Sequence, residues 1–364
     1  MRVLYDGQIY ALQPVGGINC YFTNLINQLP ADFVPLLLSA RPSNSNQLIH
    51  PNLKIFKRQR FRPTYISYLV EQLYFGSVIS NQRIDIAHPT YYTLLSRQAV
   101  KAYTCPIVLT VWDMIHELFP KELDPKGKIT AKKREAILAA QAIICISENT
   151  KQDLLERYSL PPNQITVTPL ASNLRYEQAF ESEEMVPSEP YFLYVGGRTA
   201  YKNFDGLLTA FSKVVSTNSE VILCVVGSSF NQVEKRLINE LNLVKKIQHY
   251  GHIEDNYLAK LYHYSIGLVY PSKYEGFGIP PLEAMSCKTA VIAGNCSSLP
   301  EVVGDAGLLV DPNSQTDLAE AMLCLLNHPA ERDRLIAKGY DRAKQFSWEK
   351  TAAQTVEVYR SLVG

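Results

Sequence analysis

Short apolar runs, each closed by glycine, proline or a polar turn, recur along the whole chain with helical periodicities between several of them. That alternation restricts the fold more than any other feature. Runs at residues 3–5, 33–38, 53–56, 84–88, 107–111, 142–146 and 165–168 fill the first half, and runs at 191–195, 221–226, 247–250, 266–270, 290–293 and 307–310 the second. Strands buried on both faces read as continuous apolar runs, and helices between them demand parallel pairing through crossovers. The expectation is an α/β chain of doubly wound parallel sheets. At 364 residues the chain is well beyond the usual single domain, so two such sheets with separate cores are expected. The break between them is compositional: residues 176–190, YEQAFESEEMVPSEP, are acidic, polar and proline-containing. This sets an N-terminal domain at 1–175 and a C-terminal domain at 190–346.

Each half opens in the same way. The first run is followed by Pro14-Val15-Gly16-Gly17 and then a helical pattern of Tyr21, Leu25, Ile26 and Leu29. The run at 191–195 is followed by Gly196 and Gly197 and then a helix whose buried face should be Leu207, Leu208 and Phe211. Paired glycines let the backbone approach a ligand and leave N–H groups pointing outward. Ligands of doubly wound sheets collect at the carboxyl ends of the strands. Three short motifs fall there: HPTY from His88, WDMIH from Trp112 to His116, and SENT from Ser147. The second glycine loop, GGRTAYKNFDGLL, also carries Arg198 and Lys202. Paired cations near a helix start suit a diphosphate, the guanidinium forking across two oxygens and the lysine adding a point charge.

The most specific stretch is EGFGIPPLE, from Glu275 to Glu283. Gly276, Gly278, Pro280 and Pro281 forbid regular structure after Glu275. Pro281 suits the first position of the following helix, which places Glu283 in its first turn, beside free N–H groups and a partial positive charge.

A Glu, seven intervening residues and a Glu, filled in this way, resembles the signature of the family-four glycosyltransferases, the retaining, nucleotide-sugar-dependent enzymes of GT-B fold. The resemblance implies two Rossmann-like domains facing each other across a cleft, the N-terminal one binding the acceptor and the C-terminal one the donor. It implies that Glu275 faces the donor sugar as a catalytic-site residue, that Glu283 binds the ribose hydroxyls, and that Gly276, Phe277, Gly278 and Ile279 belong to the donor site. GGRTAYK resembles the pyrophosphate clamp, assigning Arg198 and Lys202 to the diphosphate, and PVGGINCYFTNLINQL resembles the first glycine-rich loop, adding Gly16 and Gly17. Gly251-His252-Ile253 ends a strand where backbone groups usually meet the base, with His252 itself structural. LPEVVG and LVDP match the C-terminal domain, and FSWEKTAAQTVEVYRSL resembles a last helix, about 347–364, that completes the N-terminal one.

PIVLTVWDMIHELFP resembles the segment that delivers a catalytic-site histidine, commonly as a His-Asp pair, but Trp112 stands in the histidine's place. An aromatic there can stack on a sugar and cannot exchange a proton, so any such role passes to Asp113 or His116, or is absent.

The implied reaction moves a hexose, with retention, from a UDP-glucose-type donor or GDP-mannose to a hydroxyl of a saccharide or lipid-linked oligosaccharide in polysaccharide biosynthesis. No two aspartates stand two positions apart, as a metal-holding Asp-x-Asp pair requires. Arg198, Lys202 and the helix starts can supply the positive field, so no metal and no other cofactor is expected. The rival readings are a nucleotide-sugar 2-epimerase or a pyridoxal-phosphate phosphorylase of the same fold, and a non-catalytic sugar-nucleotide-binding protein.

Charge is nearly balanced, 36 Lys+Arg against 35 Asp+Glu, which argues against nucleic acid as a partner. The 7 cysteines are scattered, odd in number and include no C-x-x-C pair, as suits reduced thiols in the cytoplasm. Asp6 interrupts any export signal, and the longest apolar stretch, 136–146, falls short of the roughly 18 residues of a membrane span. Two basic runs, KIFKRQRFR at 54–62 and KGKITAKKR at 126–134, read as solvated surface. Phe56 and Phe61 inside the first make it a candidate for touching anionic lipid on the cytoplasmic face of the membrane.

Overall fold

The computed structural model describes residues 1–13, 16–40 and 48–363; Pro14 and Val15 of the first glycine loop lie outside them. Among the described residues each apolar run named above contributes a strand. These are β1 (Arg2–Asp6), β2 (Val34–Ser39), β3 (Lys54–Lys57), β4 (Ile86–Ala87), β5 (Val108–Val111), β6 (Ala142–Cys145), β7 (Ile165–Val167), β8 (Tyr191–Val195), β9 (Ile222–Val226), β10 (Ile247–Tyr250), β11 (Gly267–Tyr270), β12 (Val291–Gly294) and β13 (Leu308–Val310).

The chain divides into two compact units, Met1–Leu170 with Trp348–Gly364, and Ala171–Ser347. In the first unit the strands run in the order β3-β2-β1-β4 in one sheet and β5-β6-β7 in another, and a parallel bridge from Ala87 to Ile107 links the two edges. In the second unit a single six-stranded sheet has the order β10-β9-β8-β11-β12-β13. Every strand pair is parallel, for instance Tyr5 against Leu37 and Leu268 against Val291. Both units are therefore Rossmann-like and doubly wound: the chain builds outward from the first strand in one direction, then returns and builds in the other. The reversal leaves a crevice at the carboxyl ends of β1 and β4 in one unit and of β8 and β11 in the other.

The helical patterns bury the faces their spacing calls for. Helix Gly17–Asn27 buries Tyr21, Phe22, Leu25 and Ile26, and helix Phe204–Thr217 buries Leu207, Leu208 and Phe211 against Phe192, Tyr194 and Val225 of the sheet. Each such side chain contributes about 1.5–3 kcal/mol when fully buried. Helix Glu148–Arg157 starts on Ser147, whose hydroxyl accepts from Thr150 N at 3.0 Å.

The terminal helix, Trp348–Val363, belongs to the first unit and is tied there by buried polar groups. Tyr359 OH lies 2.6 Å from His88 Nδ1 and 3.0 Å from Tyr5 OH, while His88 Nε2 lies 2.8 Å from Thr110 Oγ1. Burial without a charged partner pushes the His88 imidazolium down to about 3, so this histidine is a neutral structural post. The acidic stretch after residue 175 is held on helix Asp255–Tyr264 of the second unit, where Gln178 Nε2 donates to Asn256 Oδ1 at 3.3 Å and Lys260 Nζ to Ser182 O at 2.8 Å. Among the described residues no helix is long and apolar enough to cross a membrane, and none of the seven cysteines is in a disulfide.

Candidate active site

The loops that follow β8 and β11 carry most of the residues singled out in the second half, and the strand order sets these two loops side by side. After β8 the chain makes a 3-10 turn, Ala200–Lys202, and then Asn203, at φ 57°, turns it into helix Phe204–Thr217. Asn203 also ties three loops together, its Nδ2 donating to Pro271 O at 3.2 Å and Pro312 O at 2.5 Å. Lys202 is thereby aimed at the loop after β11: its Nζ donates to Glu275 Oε1 at 2.7 Å, Glu275 Oε2 at 2.8 Å and Tyr270 OH at 3.2 Å. Glu275 is 9% exposed, and its backbone is clamped by Ser297 and Ser298, whose hydroxyls donate to Glu275 O at 2.5 and 2.9 Å. The result is a charged pair on a rigid frame at the crevice.

Arg198 is placed differently from the open fork its neighbours in sequence suggest. Its Nε donates to Glu234 Oε1 at 2.8 Å and its Nη2 to Ser228 O at 2.7 Å and Ser229 O at 3.0 Å. Its guanidinium carbon stands 4.9 Å from the Phe230 ring centre and 5.5 Å from that of Phe204. Nη1 is buried and has no hydrogen bond among the described residues. Close to it, Gly227 at φ 145° runs so near Gly196 that a Cβ would meet Gly196 O at 2.7 Å, which keeps glycine there. Glu234 is occupied twice, for it also caps its own helix, Gln232–Glu240, by accepting from Asn231 N at 2.7 Å.

Helix Ile279–Ser286 begins two residues earlier than Pro281, so Glu283 is not in its first turn. Gly278, at φ 119°, releases the chain from the loop, and Pro280 and Pro281 both fall where their missing N–H groups have no intrahelical use. Glu283 is half-buried and accepts from Tyr262 OH at 3.0 Å. Burial pushes its carboxyl up to about 7, against the pull of that hydroxyl toward the ionised form. Phe277 is buried edge-on to Phe346 at 5.8 Å, and its carbonyl accepts from Ser298 Oγ at 2.7 Å, while Gly276 and Ile279 are half-buried.

In the first unit the crevice end of β1 carries Asp6, wholly buried and accepting from Leu95 N at 3.0 Å and Gln8 N at 3.2 Å, with its carboxyl pushed by burial to about 7. Gly16 is half-buried and Gly17, the first residue of its helix, is exposed with nothing within 4 Å of an added Cβ. Trp112 does not present a face for a sugar: it is 7% exposed, edge-on to Tyr21 at 5.0 Å and packed on Phe22 at 5.9 Å. Asp113, just ahead of the short helix Ile115–Leu118, accepts from Ile115 N at 3.0 Å. His116 lies within that helix, half-buried, its Nδ1 buried and without a hydrogen bond among the described residues. His252 is exposed.

The basic run at 126–134 is not all solvated surface. Helix Lys128–Ala139 turns Lys133 inward with Ala136 and Ile137, and the wholly buried ammonium meets Glu117 Oε2 at 2.9 Å, Asp113 Oδ1 at 3.8 Å and the Asp113 carbonyl. Lys133, Glu234, Tyr262 and Tyr270 are the partners that sequence reasoning missed. The Asn231–Glu234 capping box was the one local signal available, since Asn and a Glu three residues on mark a helix start.

Comparison with known proteins adds a second line of observation. Residues 176–342 match the family model described as "Glycosyl transferases group 1", and residues 15–175 match that described as "Glycosyltransferase Family 4". The chain is 29% identical over 342 residues to O-antigen chain mannosyltransferase B of Escherichia coli, covering 90% of this chain and 81% of that protein. It is also 29% identical over 396 residues to alpha-maltose-1-phosphate synthase of Mycobacterium tuberculosis, covering 100% of both. Among solved structures, sucrose-phosphate synthase from Thermosynechococcus elongatus superposes with a TM-score of 0.79 at 24% identity, over 99% of this chain and 98% of that one. Anabaena HepE, in complex with UDP and glucose, superposes with a TM-score of 0.74 at 16% identity over 100% of both chains.

Proposed function

Because the chain belongs to the family-four, group 1 glycosyltransferases and has their GT-B fold, we propose that it moves a hexose from a nucleotide-diphosphate sugar to a saccharide or lipid-linked oligosaccharide hydroxyl in polysaccharide biosynthesis. The observation that carries this reading is the Lys202–Glu275 pair, 2.7 Å apart at the crevice between β8 and β11. An ammonium beside a carboxylate offers both signs of charge that the reaction develops, negative on the leaving diphosphate and positive on the sugar ring. Entry of a diphosphate gives Lys202 a second anion to bind and leaves Glu275 to orient the sugar hydroxyls and offset the charge at its anomeric carbon. Arg198 Nη1, the one guanidinium nitrogen not already bonded, is the natural second phosphate donor. Glu283 takes the ribose hydroxyls.

In this reading the bond from the anomeric carbon to the diphosphate oxygen breaks as the acceptor oxygen bonds to the same face of that carbon. The acceptor proton passes to the leaving phosphate, and configuration is retained. Lys202, Arg198 and the start of helix Ile279–Ser286 supply the positive field, so turnover is metal-independent and survives a chelator. Asp113 and His116 are the acceptor-side candidates, His116 the better of the two because its Nδ1 is uncommitted.

The Escherichia coli relative carries the name of a mannosyltransferase, which makes GDP-mannose the first donor to try, with UDP-glucose the next on the strength of HepE's complex with UDP and glucose. The test is thermal unfolding with each donor, followed by donor consumption with a panel of saccharide acceptors. A donor present at about a hundred times its dissociation constant raises stability by about 2.7 kcal/mol. Stabilisation by one donor and acceptor-dependent consumption of it are the expected results. Consumption without any acceptor favours an epimerase, and stabilisation with no consumption favours a binding protein.

A further inference from the structure

Helix Thr64–Asn81 is built inside out. Its inward face is Ser67, Glu71 and Phe75, all wholly or nearly buried, and Glu71 meets Arg60 in a forked pair, Oε2 to Nε at 2.8 Å and Oε1 to Nη2 at 3.0 Å. The opposite face carries Tyr65, Leu69 and Leu73, which are 68%, 58% and 74% exposed. A helix that packs only on its own core turns leucines inward and glutamate outward. Here the order is reversed, and among the described residues nothing covers the apolar stripe, which Ile66 and, just before the helix, Phe61 join.

Charge identifies what covers it. The segment leading into the helix holds Lys54, Lys57, Arg58, Arg60 and Arg62 with no acid among residues 54–62, and the helix's single acid, Glu71, is neutralised by Arg60. Lys54 and Arg62 are exposed. A second copy of the chain would bring the same positive charge against this one, so self-association through the stripe is opposed. An anionic surface with an apolar layer beneath it satisfies both the cations and the leucines.

We propose that this face seats on a phospholipid bilayer with anionic headgroups, the helix lying in the interface with Tyr65, Leu69 and Leu73 below the phosphates and Lys54 and Arg62 against them. The inference goes beyond sugar transfer, and its readout needs neither donor nor turnover. The full chain is sedimented with vesicles of phosphatidylglycerol and phosphatidylcholine, and with vesicles of phosphatidylcholine alone. Wild type binds the anionic vesicles, less tightly as salt rises, and binds the neutral ones at least about fivefold less tightly. The double variant Leu69→Ser, Leu73→Ser loses about tenfold or more in affinity, and Arg62→Ser about fivefold, with melting temperatures unchanged because all three side chains face solvent. No binding to anionic vesicles, equal binding to both vesicle types, or equal affinity in wild type and double variant would overturn the proposal. So would light scattering that shows a wild-type dimer which the double variant dissolves, since the stripe would then seat a second copy.

Discussion

Replacing Glu283 by glutamine should change how stability depends on pH, and the size of the change follows from the site. Burial raises this carboxyl from its ordinary 4.5 to about 7. Between those two pH values the native chain holds a proton that the unfolded chain has released, so this group's contribution to stability falls as pH rises through the window and is level outside it. A gap of about 2.5 pH units at about 1.4 kcal/mol each comes to about 3 kcal/mol. Glutamine keeps the shape and one acceptor for Tyr262 OH but has no proton to lose. Asp6 is also raised to about 7 and slopes the same way, but it is present in both proteins and cancels in the difference. Urea unfolding of wild type and Glu283→Gln at pH 5, 6, 7 and 8 gives that difference directly. The expected result is a wild type that loses about 2–3 kcal/mol relative to the variant across the series. Curves that stay parallel across all four pH values would refute the reasoning.

The remaining expectations concern single side chains. Lys202→Ala should lower turnover about a hundred- to a thousandfold, the loss of about 2.7–4 kcal/mol of preorganised charge stabilisation; steady-state turnover within threefold of wild type would remove Lys202 from the site. Arg198→Ala should cost stability as well as turnover, because buried Glu234 loses its partner: about 3–5 kcal/mol in urea unfolding, against no change if the pair is superficial. Tyr359→Phe takes the hydroxyl from between His88 and Tyr5 and should cost about 1–3 kcal/mol, measured the same way, with an unchanged midpoint as the contrary result. Lys133→Met should destabilise by about 3–5 kcal/mol by leaving Glu117 without its cation, and adding Glu117→Leu should recover most of that loss; a double variant no better than the single one would contradict the pairing.

The strands were legible because a strand buried on both faces has no polar positions to confuse its pattern, and the two crevices followed once the strands were ordered. Glu275 and Lys202 were legible as site candidates from the loops they sit in. Their direct pairing was not, because it joins side chains 73 residues apart that no local periodicity connects. The same holds for Arg198 and Glu234, and for Lys133, which turns into the core between the exposed Lys132 and Arg134. Trp112 misled in another way: indole suits a sugar and a core equally, and only the presence of Tyr21 and Phe22 around it decides for the core. Helix Thr64–Asn81 is apolar nearly all round, so its spacing could not say which side faced in.

The most direct measurement is a structure of the protein with its nucleotide-diphosphate sugar bound. The diphosphate should lie against Lys202 Nζ and Arg198 Nη1, at the ends of β8 and β11, with the sugar turned toward Glu275. A diphosphate bound anywhere that touches neither cation would contradict the assignment of this crevice as the donor site.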